Sequence, residues 1–338
     1  MQLRGWARRW IVDDGFIYLR VVRQITSGNG PVFNKGERVE AFTSPLWLAI
    51  LTIADAITPV RLEWLAVVLG IGLTGAAVVM AMAGARLLVR RHEPDAFLVP
   101  FGAVVYMALI PAWIFQTSGL ETGLVLAWLG GCLLVLAQWA GSARNMSLVS
   151  AAILGLGWLV RPELLIFGAL FLVVVATLQW RGSGWSGVLR LAASAAALPV
   201  AYQVFRMGYY GSLVANPAVA KESASTNWER GWDYVVDFAG PYWLWVPAIV
   251  VAAGGFIPLV VGLRAARASR ALAVVAVFVV AGCLDAVYIT SVGGDWMHAR
   301  LLLPALFAVV APVAVIPATR RYLAAAVVAP WAFAAAFA

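Results

Sequence analysis

Asp13 and Asp14 stand side by side in WIVDDGFIYLRVVRQI (10–25), within a chain otherwise dominated by apolar residues. Lys35, Glu37 and Glu40 follow them. Three later stretches add polar groups: Arg161 and Glu163 in RPE; Tyr209, Tyr210, Asn216, Lys221 and Glu222 in a long polar segment; and Asp295, Trp296, His298 and Arg300 in SVGGDWMHAR. A carboxylate can take the proton of a hydroxyl nucleophile or hold a divalent cation. Arginine, lysine and histidine can stabilise a departing phosphate. The set as a whole suits transfer of a group from a phosphate-linked donor to a hydroxyl. Each member alone has a plainer reading. Adjacent acids in a loop are usually solvated, RPE doubles as a helix break with a local ion pair, and His298 beside Trp296 suits an interfacial aromatic belt.

The elements that must position these groups are membrane helices. The chain has 338 residues, 63% hydrophobic and 12% charged, with a mean hydropathy of +0.89, whereas soluble domains carry roughly 25% charged residues. Apolar runs fall at about 62–85, 95–115, 119–140, 147–160, 164–180, 188–207, 243–262, 271–290, 301–318 and 322–338. The expected class is an all-α polytopic membrane protein with about ten spans. A further segment, 42–57, is short for a crossing and carries Asp55, so a re-entrant or interfacial helix is favoured there. Asp285 lies inside an apolar run, where a carboxylate is costly and often functional.

Arginines mark alternate loops: Arg86, Arg90 and Arg91; Arg144; Arg181 and Arg190; Arg264, Arg267 and Arg270; Arg320 and Arg321. The positive-inside rule makes that face cytoplasmic and the opposite face, with the candidate residues, extracytoplasmic. Residues 8–60 then form the first outer loop and 208–242 a larger one. Of 24 basic residues only Lys35 and Lys221 are lysine, and both fall in those loops. The net charge of +8 follows from the loop arginines and does not signal nucleic acid. Cys132 and Cys283 lie inside apolar runs, where a free cysteine acts as a small hydrophobe.

The diacidic loop, the SPLW helix after it and the short helices around RP resemble the GT-C class of membrane glycosyltransferases. Within that class, residues 8–51, GYYGSLVANPAVAKE and GGDWMHARLLLP look like arabinofuranosyltransferases of mycobacterial cell-wall arabinan. The resemblance runs from about residue 6 to 320. It implies one GT-C-type catalytic domain over 1–338, in a plasma membrane, with the site on the outer side. It also implies a donor, decaprenyl-phosphoryl-arabinofuranose, and an arabinan acceptor in arabinogalactan or lipoarabinomannan. Lys221, His298, Arg300 and Arg161 would hold the donor phosphate. Asp13 or Asp14 would face the reacting sugar or hydroxyl, with Asp13 favoured as the first acid of the pair. Lys35, Glu37, Glu163, Tyr210, Asn216, Asp295 and Trp296 would line the substrate site. Many GT-C relatives bridge the phosphate with a divalent metal such as Mg, Mn or Ca, but no spacing here selects one. The family pattern places a helix before the diacidic loop and a soluble carbohydrate-binding domain after the last spans, so both are expected to be missing from this chain. Two other readings stay open: a GT-C enzyme of another lipid-linked sugar or acceptor, and a transporter or flippase. Clustering of the polar residues on one face and the lack of an internal repeat weigh against transport.

Overall fold

The computed structural model describes residues 2–220, 226–318 and 329–333. It is an α-helical structure, with a single pair of three-residue strands among the described residues. Five helical segments are long and apolar enough to cross a membrane: Leu62–Val89, Thr122–Ala140, Pro162–Tyr210, Trp245–Ala265 and Ser269–Ser291. The expected count of ten spans is not reached among the described residues, although the runs 164–180 and 188–207 both fall within Pro162–Tyr210. The 95–115 run is broken into Gly102–Ala108 and Ile110–Ile114, with a strand before them. The 147–160 run is a shorter apolar helix. The 301–318 run gives a shorter apolar helix, Arg300–Val313, before becoming a strand. Most of 322–338 lies outside the described residues.

The first pair of long helices shows how small residues set the packing. A Cβ placed on Gly123 would lie 2.5 Å from the Gly70 carbonyl, and one on Gly130 would lie 2.5 Å from that of Ala77. Backbones this close exclude larger side chains, a familiar way of joining apolar helices without a hydrophobic driving force. The numbering rises in the same direction along both helices, so they run parallel. The chain must return between them, and the broken segment 98–117 does this. Leu98–Pro100 pairs antiparallel with Val315–Pro317, and Phe101 donates to the Ala314 carbonyl at 2.9 Å. The pair satisfies backbone groups where both segments leave helical geometry.

Leu165–Tyr210 is continuous only in name. Gly184 has φ +55°, and the helix folds back there. Gly168 in the first arm meets the Leu154 carbonyl, while Gly155 meets the Ala195 carbonyl in the second. Residues 168 and 195 would be about 40 Å apart along a straight helix at 1.5 Å per residue. Both instead pack on neighbouring positions of Leu148–Gly155, so the two arms are a hairpin.

The two ends of the bundle differ in charge. At one end Arg270 donates to the Ser142 carbonyl at 2.7 Å and lies over the Trp139 ring, and the Arg91 guanidinium sits against Gly141. The acidic groups of the candidate site collect at the other end. There Asp13–Thr26 forms an amphipathic helix burying Gly15, Tyr18, Leu19, Val21 and Val22, the spacing of a single apolar face. Asp13 and Asp14 occupy its first turn, where negative charge is favoured by the helix dipole.

The next helix, Pro45–Ile57, is capped by the Ser44 side chain and has proline in its first turn. Its Trp47 indole donates to the Gly119 carbonyl at 3.0 Å, so the helix starts beside the 118–121 loop. It ends a few residues before Leu62, where Glu63 pairs with Arg23 at the end of the diacidic helix. Both of its ends therefore lie at the acidic end of the bundle, and the segment does not traverse it.

Gly15 explains why glycine follows the acids. A Cβ there would lie 2.7 Å from the Ser118 carbonyl oxygen and 2.9 Å from Ile11. The obstacle is backbone, so it cannot swing aside. Gly15→Ala is expected to cost about 1–3 kcal/mol through overpacking, read as a lowered Tm of the detergent-solubilised protein.

Candidate functional site

A cavity of about 270 Å³ opens at the acidic end. Its walls come from the diacidic helix (Asp14, Ile17, Tyr18), the stretch Ala41–Phe42–Thr43, the loop ending in Glu121, and Arg161–Pro162–Glu163. Pro217 and Ala218, the end of the Ser269–Ser291 helix, and the turn carrying Asp295 and Arg300 complete it. The segments are far apart in sequence, and the helix packing above brings them together.

The polar centre is a network of ion pairs. Arg161 pairs with both Glu121 and Glu163. Arg300 lies 3.6 Å from the same Glu121 oxygen and 3.2 Å from Asp295. Glu121, at 1% exposure, is the hub. Burial alone would raise its carboxyl pKa, but the guanidiniums of Arg161 and Arg300 outweigh burial and hold it below the usual carboxylate range. Glu121 is therefore ionised throughout the neutral range. Its second oxygen and the Arg300 Nε are buried and lack hydrogen-bond partners among the described residues. Unused donor capacity beside a cavity suits an incoming anion.

Local structure explains each placement. Arg161 has extended backbone and precedes proline, so the helix stops there and its side chain leaves the axis. Glu121 follows Gly119, whose φ is +80°, in a turn that ends one short helix and starts Thr122–Ala140. Arg300 follows Ala299, a buried non-glycine residue at φ +63°, a conformation costing about 1–2 kcal/mol. Tyr234 steadies that turn, donating to the Met297 carbonyl at 3.0 Å and accepting from the Leu301 N–H at 3.1 Å. Burial raises the Tyr234 hydroxyl above its ordinary pKa, so it remains a donor.

The two aspartates are unequal. Asp14 lines the cavity, whereas Asp13 is exposed and accepts the Asp14 N–H at 2.9 Å. No described residue forms an ion pair with Asp14, so it is the cavity carboxylate left without an arginine. Tyr18 stands beside it, with its hydroxyl 3.2 Å from the Thr43 hydroxyl and accepting from the Ser44 N–H at 3.0 Å. Asp285 is buried one turn below Tyr288 and Ile289, which line the cavity.

The structure also shows where the other sequence candidates go. Lys35 and Glu37 are exposed and away from the cavity, with Glu37 accepting from Asn34. The Tyr210 hydroxyl donates to the Pro31 carbonyl. The Asn216 side chain is exposed, although its N–H donates to the Glu40 carbonyl and Pro217 and Ala218 do line the cavity. Trp296 is exposed. His298 packs on Phe238 and Tyr242 with its Nδ1 2.6 Å from Asp237, outside the lining. Lys221 lies outside the described residues. The sequence reading singled out neither Glu121 nor Arg206. That arginine, inside a spanning arm, binds Glu40 at 2.6 Å through Nε, and Tyr202 donates to the other Glu40 oxygen at 2.6 Å. Glu40 thus braces two walls, the Ala41–Thr43 stretch and the segment at Asn216.

Among the described residues no cluster of three histidine, cysteine or acidic side chains is close enough to hold a cation. Glu121, Glu163 and Asp295 each already face a guanidinium.

The fold and the cavity define a helical protein of membrane-spanning character, its cavity lined by arginine–carboxylate pairs and by Asp14, which has no ion-pair partner among the described residues. The chain is similar to the terminal beta-(1->2)-arabinofuranosyltransferase of Corynebacterium glutamicum, with 41% identity over 339 residues covering 93% of this chain and 49% of the relative. It is equally similar to the protein of that name from Mycobacterium tuberculosis, with 41% identity over 342 residues covering 93% of this chain and 53% of the relative. The chain spans about half the length of these curated relatives. The resemblance read from the motifs is thus present along nearly the whole chain. No family model and no solved structure matches it.

Proposed function

We propose that this chain is the membrane-embedded transfer portion of a GT-C-type arabinofuranosyltransferase. It moves an arabinofuranosyl residue from decaprenyl-phosphoryl-arabinofuranose to a terminal hydroxyl of cell-wall arabinan. Its site faces the extracytoplasmic side of the plasma membrane, a reading supported by the arginine-rich loops at the opposite end of the bundle. The observation that carries the proposal is the pairing of two guanidiniums, the partly buried Arg161 and the buried Arg300, with an unpaired Asp14 around one cavity. The relatives supply the sugar.

The donor phosphate binds at the guanidiniums, where it takes over hydrogen-bonding capacity that Glu121 and Asp295 only partly use. Asp14 receives the proton of the acceptor hydroxyl. The hydroxyl oxygen bonds to the anomeric carbon, the bond from that carbon to the phosphate oxygen breaks, and the negative charge remains on the lipid phosphate. Arg161 and Arg300 stabilise that charge in a site of low dielectric, where charge-assisted hydrogen bonds are strongest. The ion pairs to Glu121 keep both guanidiniums in place before the donor arrives, so little reorganisation accompanies the reaction.

The test is direct. Membranes containing this chain, given radiolabelled decaprenyl-phosphoryl-arabinose and an arabinan oligosaccharide, should yield an oligosaccharide longer by one arabinofuranose. A folded protein that bound the donor lipid but gave no labelled product would overturn the transfer. Equal labelling from a lipid-linked hexose would overturn the sugar.

A further inference from the structure

Trp228–Ala239 is a helix that spans nothing. It begins after Asn227, which caps it, and it precedes the spanning segment Trp245–Ala265. It sits across the site end of the Ser269–Ser291 helix: Asn227 N–H donates to the Ser291 carbonyl at 2.8 Å, and Gly231 rests on the Thr290 carbonyl. At about 100° per residue, its side chains fall into three sectors. Gly231, Tyr234 and Phe238 are buried against the protein. Glu229, Arg230, Asp233 and Asp237 make a second, exposed and charged sector. Trp228, Trp232, Val235, Val236 and Ala239 make a third, and there Trp228 is 55% and Trp232 64% exposed.

An ordinary surface helix has two faces, one on the core and one in water. A third, apolar flank between the two has no use in water. It suits a helix lying along the bilayer surface, with protein on one side, water above and lipid beside it. The height is right, because the helix packs on the end of a spanning segment, whose own Val280, Leu284 and Val287 are exposed large hydrophobics. The flank therefore continues a lipid-facing surface. Trp243 and Trp245, exposed and 5.8 Å apart by ring centroid, follow where the chain enters its next span, as tryptophans at membrane interfaces do.

We propose that the Trp228–Ala239 helix is immersed edge-on in the outer membrane–water interface, with Trp228, Trp232 and Val236 among the lipid acyl chains. This rests on the membrane embedding of the chain and not on its proposed reaction. The same helix carries Tyr234, whose hydroxyl holds the turn presenting Arg300. The lipid surface thereby fixes the height of that guanidinium relative to the headgroups, where a lipid-linked phosphate sits.

The experiment places single cysteines at Trp232→Cys, Val236→Cys and Asp233→Cys in a Cys132→Ala, Cys283→Ser background and labels each with an environment-sensitive nitrobenzoxadiazole. The full chain is reconstituted in phosphatidylcholine nanodiscs at one copy per disc. Positions 232 and 236 should show blue-shifted emission, quenched about twofold or more by lipids spin-labelled near the headgroup, while 233 is quenched by aqueous iodide instead. Matching melting temperatures of the labelled proteins establish that each is folded, and two apolar positions guard against loss of one variant. Aqueous emission at both 232 and 236 would overturn the proposal. So would a blue shift that needs a second copy, or one produced in detergent only on adding arabinan oligosaccharide, which would make the flank a dimer face or a sugar platform.

Discussion

Arg161→Ala is expected to abolish measurable transfer and to destabilise the protein by about 3–5 kcal/mol, the cost of stripping one partner from a buried ion pair. Arg161 is shared by Glu121 and Glu163, so its removal leaves two carboxylates in a low-dielectric site, one of them also serving Arg300. The stability loss has its own control. The triple change Arg161→Met, Glu121→Gln and Glu163→Gln removes the unpaired charges together and should recover most of the melting temperature, because an apolar substitute for a buried ion pair is often neutral. It should not recover transfer, since the cation that meets the phosphate is gone. A triple variant that both folds and transfers at near-normal rate would show that the donor phosphate binds elsewhere.

Asp14→Asn should lower the transfer rate by about 10²–10⁴, the usual worth of a positioned general base, while leaving the melting temperature nearly unchanged. Asp13→Asn should keep more than a tenth of normal transfer. The asymmetry follows from the first turn of the diacidic helix. Consecutive side chains point about 100° apart, and only Asp14 reaches the cavity wall while Asp13 turns outward to the backbone. The class resemblance favours the first acid of the pair, and the geometry favours the second. Initial rates for the two asparagine variants at saturating acceptor decide between them. Equal loss in both would mean that the pair acts as a unit through the helix terminus.

Some of this site is legible in the sequence because the signal is local. Arg161 and Glu163 straddle a proline that ends a helix, so their side chains must leave an apolar environment together. Asp295 and Arg300 share one short glycine-rich turn. Glu121 carries a weaker signal, an acid between two apolar runs in a loop with a glycine two residues before it. Its place at the hub depends on a packing that brings residue 121 to residues 161 and 300. Arg206 is harder still. An arginine inside an apolar run announces that it has a partner, but nothing near it names Glu40. The same limit accounts for Lys35 and Glu37, which lie exposed and away from the cavity, and for Tyr210, whose hydroxyl donates to the Pro31 carbonyl. The traverses read as continuous spans at 95–115 and 301–318 show a different limit. Apolar composition records that a segment is lipid-compatible or buried, and does not record whether its backbone stays helical when a neighbouring segment can satisfy it.

The Glu40–Arg206 pair has a consequence for the order in which the protein is made. Glu40 leaves the ribosome 166 residues before its partner. At roughly 5–20 residues per second, the segment carrying Glu40 waits on the order of ten seconds or more for the return arm of the hairpin. During that interval a carboxylate destined for burial stays hydrated, and the Ala41–Thr43 wall has nothing to lean on. The cavity therefore closes late in synthesis, after the hairpin has turned at Gly184 and come back to the starting side. Nascent chains that stop before residue 206 should leave the stretch around Glu40 open to protease, and chains extended past it should not.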